Sequence, residues 1–157
     1  MICSNYRTNF QPVDVVDVLF RYSFTTYGVD GLEGGWRRAV RFGWEVSNQL
    51  TPVFMRGVNS GFLPSSTGFC YVDKPNVLLL TMKKAEDGAG IILRLMETEG
   101  VKTTTTLRFR FLRIVKAYIT NLVEEDVNPL TVRGNSIRIQ IKPFGMATVR
   151  IITEDSD

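Results

Sequence analysis

The sequence predicts a mainly β fold, an antiparallel β-sandwich with one amphipathic helix at about residues 36–50. Three observations point there. Short period-two runs, closed by glycine or acidic turn chemistry, fill the chain from Phe69 onward. One segment alone, Trp36 to Leu50, changes to a 3.6-residue period. The length of 157 residues, with 44% hydrophobic and 22% charged residues, fits a single domain over residues 1–157 with its own core.

The elements follow in chain order. Val16 to Thr26 reads V-D-V-L-F-R-Y-S-F-T-T. Val16, Val18, Phe20, Tyr22 and Phe24 share one face, opposite Asp17, Arg21, Ser23 and Thr25, so a strand with one buried face is expected. Gly28 through Gly35 is turn chemistry, rich in glycines free to take positive φ. At about 100° per residue, Trp36, Ala39, Val40, Phe42, Trp44, Val46 and Leu50 then gather on one arc of a helix. Arg37, Arg38, Arg41, Glu45, Asn48 and Gln49 fill the rest. The two tryptophans read as core packing, and Pro52 as the helix stop.

Val53 to Gly68 is loop-rich. Strands are expected at Phe69–Val72, Val77–Lys84, Gly90–Glu97, Lys102–Phe111, Val115–Thr120, Ser136–Lys142 and Met146–Ile152. Glu86-Asp87-Gly88 and Glu99-Gly100 are the turn signals between them. In the run SIRIQIKPFGMATVRI, Ile137, Ile139 and Ile141 share a face, Pro143 interrupts, and Phe144-Gly145 turns the chain. The last two runs are therefore expected to close the fold as a hairpin-like strand pair.

Chemistry is bounded by the absence of histidine, which removes Ser-His and Cys-His dyads and every imidazole metal site. Glu124-Glu125-Asp126 is the densest acidic cluster and reads as a solvated turn, as do Glu86, Asp87, Glu97 and Glu99 at strand ends. Arg108, Arg110, Arg113 and Lys116 interleave with Leu107, Phe109, Phe111 and Ile114, the pattern of a charged outer face over an apolar inner one. A nucleic-acid surface would need the aromatics beside the cations. The net charge of +3, from 19 basic and 16 acidic residues, also gives little reason to expect that partner.

Gly28, Gly31, Gly34 and Gly35 lack the G-x-G-x-x-G spacing of a phosphate cradle, and Cys3 and Cys70 have no metal-ligand companions. No catalytic, cofactor-binding or metal residue emerges. The loop-side aromatics Tyr6, Tyr27, Phe62 and Tyr71 are the candidate sugar contacts. The longest apolar run falls far short of the ~20 residues of a spanning helix, so no membrane partner is expected. No secretory signal is visible, which leaves the compartment open with the cytoplasm favoured.

Four stretches together resemble the C-terminal β-domain of family 38 glycoside hydrolases, the retaining α-mannosidases. They are Phe20-Arg-Tyr-Ser-Phe with Gly28 to Trp36, Trp44-Glu-Val-Ser-Asn-Gln-Leu-Thr-Pro, Lys74 to Gly88 with Ile91 to Thr98, and Asn121-Leu-Val-Glu-Glu with Ile137 to Ile151. The third is the most specific, pairing a valine-led strand, lysines and an acidic turn with an arginine-bearing strand. The resemblance implies that zinc and the catalytic aspartate belong to a separate (β/α) barrel and that no catalytic residue or cofactor resides in this chain. The implied partner is that catalytic barrel. The implied role is to pack on it and support hydrolysis of α-mannosides. Three alternatives stay open: a stand-alone carbohydrate-binding module, an interaction domain without sugar function, and an autonomous glycosidase built on two carboxylates.

Overall fold

The structure is a computed structural model that describes residues 19–26, 35–57, 60, 61 and 63–154, apart from the side chain of Trp36. Helix α1 spans Gly35–Ser47, and nine strands follow it: β1 Cys70–Val72, β2 Val77–Lys84, β3 Ile91–Glu97, β4 Thr103–Phe109, β5 Ile114–Thr120, β6 Asp126–Leu130, β7 Val132–Arg133, β8 Ser136–Ile141 and β9 Met146–Thr153. They form two sheets, one ordered β1-β4-β8-β7 and the other β2-β3-β9-β5-β6, with every pairing antiparallel. Among the described residues, the expected sandwich with one helix is the observed architecture.

Alternation builds the core. Leu107, Phe109, Ile137, Ile139 and Ile141 point inward from the four-stranded sheet. Val77, Leu93, Leu95, Ile114, Ala117, Val149 and Ile151 meet them from the five-stranded one. Leu93, Leu95, Leu107, Val149 and Ile151 are fully buried, so the inner faces of the two sheets pack closely against each other.

Several expectations change. Only β2–β3, β5–β6 and β7–β8 are consecutive strands that also pair; every other connection passes from one sheet to the other. The Pro143-Phe144-Gly145 turn therefore closes no hairpin. β8 pairs with β4 while β9 pairs with β3 and β5, so this turn carries the chain across the sandwich. The Glu99-Gly100 turn makes a second such crossing, from β3 to β4.

The expected strand over Val16–Thr26 is not formed in its described part, residues 19–26. Phe20, Tyr22 and Phe24 are all exposed, and no described strand pairs with the segment. A lone strand cannot satisfy its backbone, so alternation without a partner yields no sheet. Val16, Val18 and Gly28, Gly31 and Gly34 lie outside the described residues.

α1 ends earlier than Leu50 because Asn48 closes it, with its backbone N–H and its side-chain amide both donating to the Trp44 carbonyl at 3.0 and 2.9 Å. Leu50 lies beyond the helix and is exposed, and Trp44 and Val46 are exposed rather than in the core.

Candidate functional site

β1 presents its side chains alternately: Cys70 and Val72 pack on the core, and Tyr71 between them stands 73% exposed. Register continues this outward position across the sheet. Tyr71 pairs with Arg108 on β4, Arg108 with Ser136 on β8, and Ser136 with Arg133 on β7. The neighbouring rows set Thr106 beside Arg138 and Thr104 beside Gln140. A groove of about 1280 Å³ along this face is lined by Thr104, Thr106, Arg133, Ser136, Arg138 and Gln140, among others. Of the four candidate sugar contacts, Tyr71 is thus placed on an open polar face, whereas Tyr6, Tyr27 and Phe62 lie outside the described residues.

The basic residues singled out in sequence do not share one surface. Arg108 is on the outer face of the four-stranded sheet, Lys116 is on β5 of the other, Arg110 lies 5.4 Å over the Phe111 ring, and Arg113 pairs with Glu154 at 3.3 Å. Phe109 is buried as expected. Phe111 lies beyond the end of β4 and stacks edge-on with Phe69, ring centroids 5.5 Å apart.

Glu97, expected to be solvated, is 1% exposed and lies where the β3–β4 and β8–β9 crossings converge. Its Oε1 accepts from the Asn76 side chain at 2.9 Å and the Glu99 N–H at 2.8 Å. Its Oε2 accepts from the N–H groups of Gly100 at 2.8 Å, Val101 at 3.1 Å and Phe144 at 2.9 Å. Burial alone would raise its pKa, but the Phe144, Glu99 and Gly100 amides and Asn76 outweigh burial and hold it below the usual carboxylate range. The signal for this was present: Leu93, Leu95 and Glu97 fall on one period-two face, so the glutamate ends a core-facing row.

A second cluster tops the outer face of the five-stranded sheet. Glu124, also expected to be solvated, is 7% exposed and receives Lys83 Nζ at 2.8 Å and the Glu86 N–H at 2.9 Å. Lys83 also pairs with Glu86. Lys83 first, then the Glu86 amide, hold Glu124 below the usual carboxylate range.

Arg150 is 5% exposed. It donates to Asp87 at 2.7 and 2.8 Å, to the Ala89 carbonyl at 2.8 Å and to the Glu124 carbonyl at 2.6 Å, with Asp126 3.0 Å from its Nε. Asp87, also expected to be solvated, is held below its ordinary pKa by the Ala89 amide and then by Arg150. Glu99, the remaining strand-end acid expected to be solvated, pairs with Arg37 of α1 at 2.6 Å. No sequence pattern announces Arg150, because its burial comes from the distant β5–β6 turn folding over it.

These groups are engaged in holding the fold. Glu97, Glu124 and Asp87 each accept from two or more protein donors, an arrangement that favours their ionised forms instead of splitting their pKa values for acid–base work. Burial pushes the Cys70 thiol up to about 11, so it is protonated near neutrality and a poor nucleophile. Among the described residues, no three potential metal-binding side chains of His, Cys, Asp or Glu type come together. Among the described residues no helix is long and apolar enough to cross a membrane.

No curated protein matches the chain. Residues 76–149 match the family model described as the glycosyl hydrolases family 38 C-terminal beta sandwich domain. The match begins at Asn76, which braces Glu97, and ends at Val149 in β9, so it takes in the β3–β4 and β8–β9 crossings and the Glu97 cradle. Segments 20–52, which contributed to the resemblance in sequence, lie outside it. Over residues 76–149, a little under half of the chain, the sequence is similar to the C-terminal β-sandwich domain of glycosyl hydrolase family 38.

Proposed function

We propose that this chain serves as a non-catalytic C-terminal domain of an α-mannosidase-like glycoside hydrolase, packing on the catalytic barrel and supporting hydrolysis of α-mannosides. The family match carries this reading. The engagement of the buried carboxylates in structural hydrogen bonds agrees with it, since a retaining glycosidase needs a nucleophile and an acid facing a cleft.

The direct test is turnover of p-nitrophenyl α-mannoside by the purified chain alone, with and without EDTA. No turnover is expected in either condition. Turnover that co-purifies with the chain through repeated chromatography would overturn the reading.

A further inference from the structure

We propose that the outer face of the four-stranded sheet binds an anionic carbohydrate, an oligosaccharide carrying sulfate, phosphate or carboxylate groups. This goes beyond the accessory role and does not rest on it. The row Tyr71–Arg108–Ser136–Arg133 runs across all four strands, and antiparallel spacing makes it about 14 Å long. That row offers an exposed aromatic ring at one end and two guanidinium groups beyond it. Arg138 adds a third cation beside Thr106, and Thr104 and Gln140 continue the face with groups suited to sugar hydroxyls.

The cations of this face are uncommitted while its acids are not. Among the described residues, Arg108, Arg133 and Arg138 enter no ion pair. Asp73, at the edge of the groove, accepts from the Thr105 hydroxyl and the Thr106 N–H, both at 2.8 Å. Glu99 is held by Arg37 at 2.6 Å. Free guanidinium forks suit planar or tetrahedral oxyanions, and one aromatic ring suits the apolar face of a pyranose. A single-stranded nucleic acid is disfavoured, because its binding draws on successive stacking rings and Tyr71 is the only aromatic in these rows.

The test is an amide-resolved NMR titration of the whole chain with a heparin-derived tetrasaccharide at low ionic strength. Mannobiose and a thymidine oligonucleotide serve as comparison ligands. Saturable shifts at Tyr71, Thr104, Thr106 and Gln140 are expected, weakening as salt is added. The double variant Arg108→Gln/Arg138→Gln should lose affinity at least about tenfold, since two charge-assisted contacts disappear. Lys116→Gln, on the other sheet, should leave affinity unchanged. The proposal is overturned by absent or non-saturating shifts, by shifts confined to other surfaces, by unchanged affinity in the double variant, or by equally tight thymidine binding, which would make this a nucleic-acid face.

Discussion

Replacing Glu97 with alanine would strand the N–H groups of Glu99, Gly100, Val101 and Phe144 and the Asn76 amide inside the sandwich. Buried donors left without an acceptor are costly, so Glu97→Ala should lower stability by about 3 kcal/mol or more, read from the urea midpoint at constant m-value. Glu97→Gln keeps one carbonyl acceptor but sets an NH₂ against amide donors, and should lie between the two. Gly90 makes a different demand. Its φ is +83°, and a Cβ there would stand 2.3 Å from the Ile151 carbonyl oxygen. Gly90→Ala should therefore cost about 2 kcal/mol or more, because backbone opposes backbone and neither can yield locally. The positions of core residues such as Leu93 and Ile139 could be read from alternation, but the state of Glu97 could not be read from its type. A glutamate at a strand end is ordinarily solvated; three of its five donors come from the turn that directly follows it, but Asn76 and Phe144 are brought to it only by the fold.

At the scale of elements, the β2–β3 turn and the β5–β6 turn are tied together by a residue from neither. Arg150 on β9 reaches Asp87 and Ala89 on one side and the Glu124 carbonyl on the other. Arg150→Met should keep the strand ladders yet take this donor from the Ala89 and Glu124 carbonyls and leave Asp87 with the Ala89 amide. The expected result is faster hydrogen exchange at residues 121–126 and 86–89, with little change in β4 and β8. Equal protection in variant and parent would contradict that role. Most strands could be read within a residue or two because each keeps one face in the core. β6 and β7 could not: Asp126–Leu130 contains Pro129 and has little buried surface, and Val132–Arg133 is too short to show a period. The pairing of β8 and β9 was misjudged for a related reason. A short turn containing proline and glycine can either fold back in one sheet or step to the next, and the choice belongs to the sheets. In the α1 region, amphipathic periodicity located the helix but overstated its burial.

For the whole molecule, the carboxylates set the response to acid. Glu97, Asp73, Asp87 and Glu124 all have folded pKa values below their unfolded ones, which lie at 4.5 for Glu and 3.8 for Asp. Their contribution is fully present above the unfolded values and is lost as pH falls through the folded ones. Unfolding free energy should therefore be flat in the range above about pH 5.5 and decline progressively below about 4.5. The decline should be shallower in Glu97→Gln, which removes the most buried of the four from titration. Denaturant midpoints collected across pH 3–7 (about the accessible range for this comparison) would show this, and parallel curves for parent and variant would contradict it.

The similarity of residues 76–149 to the family 38 C-terminal β-sandwich domain is what the proposed accessory role rests on. The measurement that bears most directly on this is sedimentation velocity of the chain mixed with an isolated family 38 catalytic barrel. A one-to-one complex at micromolar concentrations is predicted. Two species sedimenting independently at every ratio and concentration tried would contradict it.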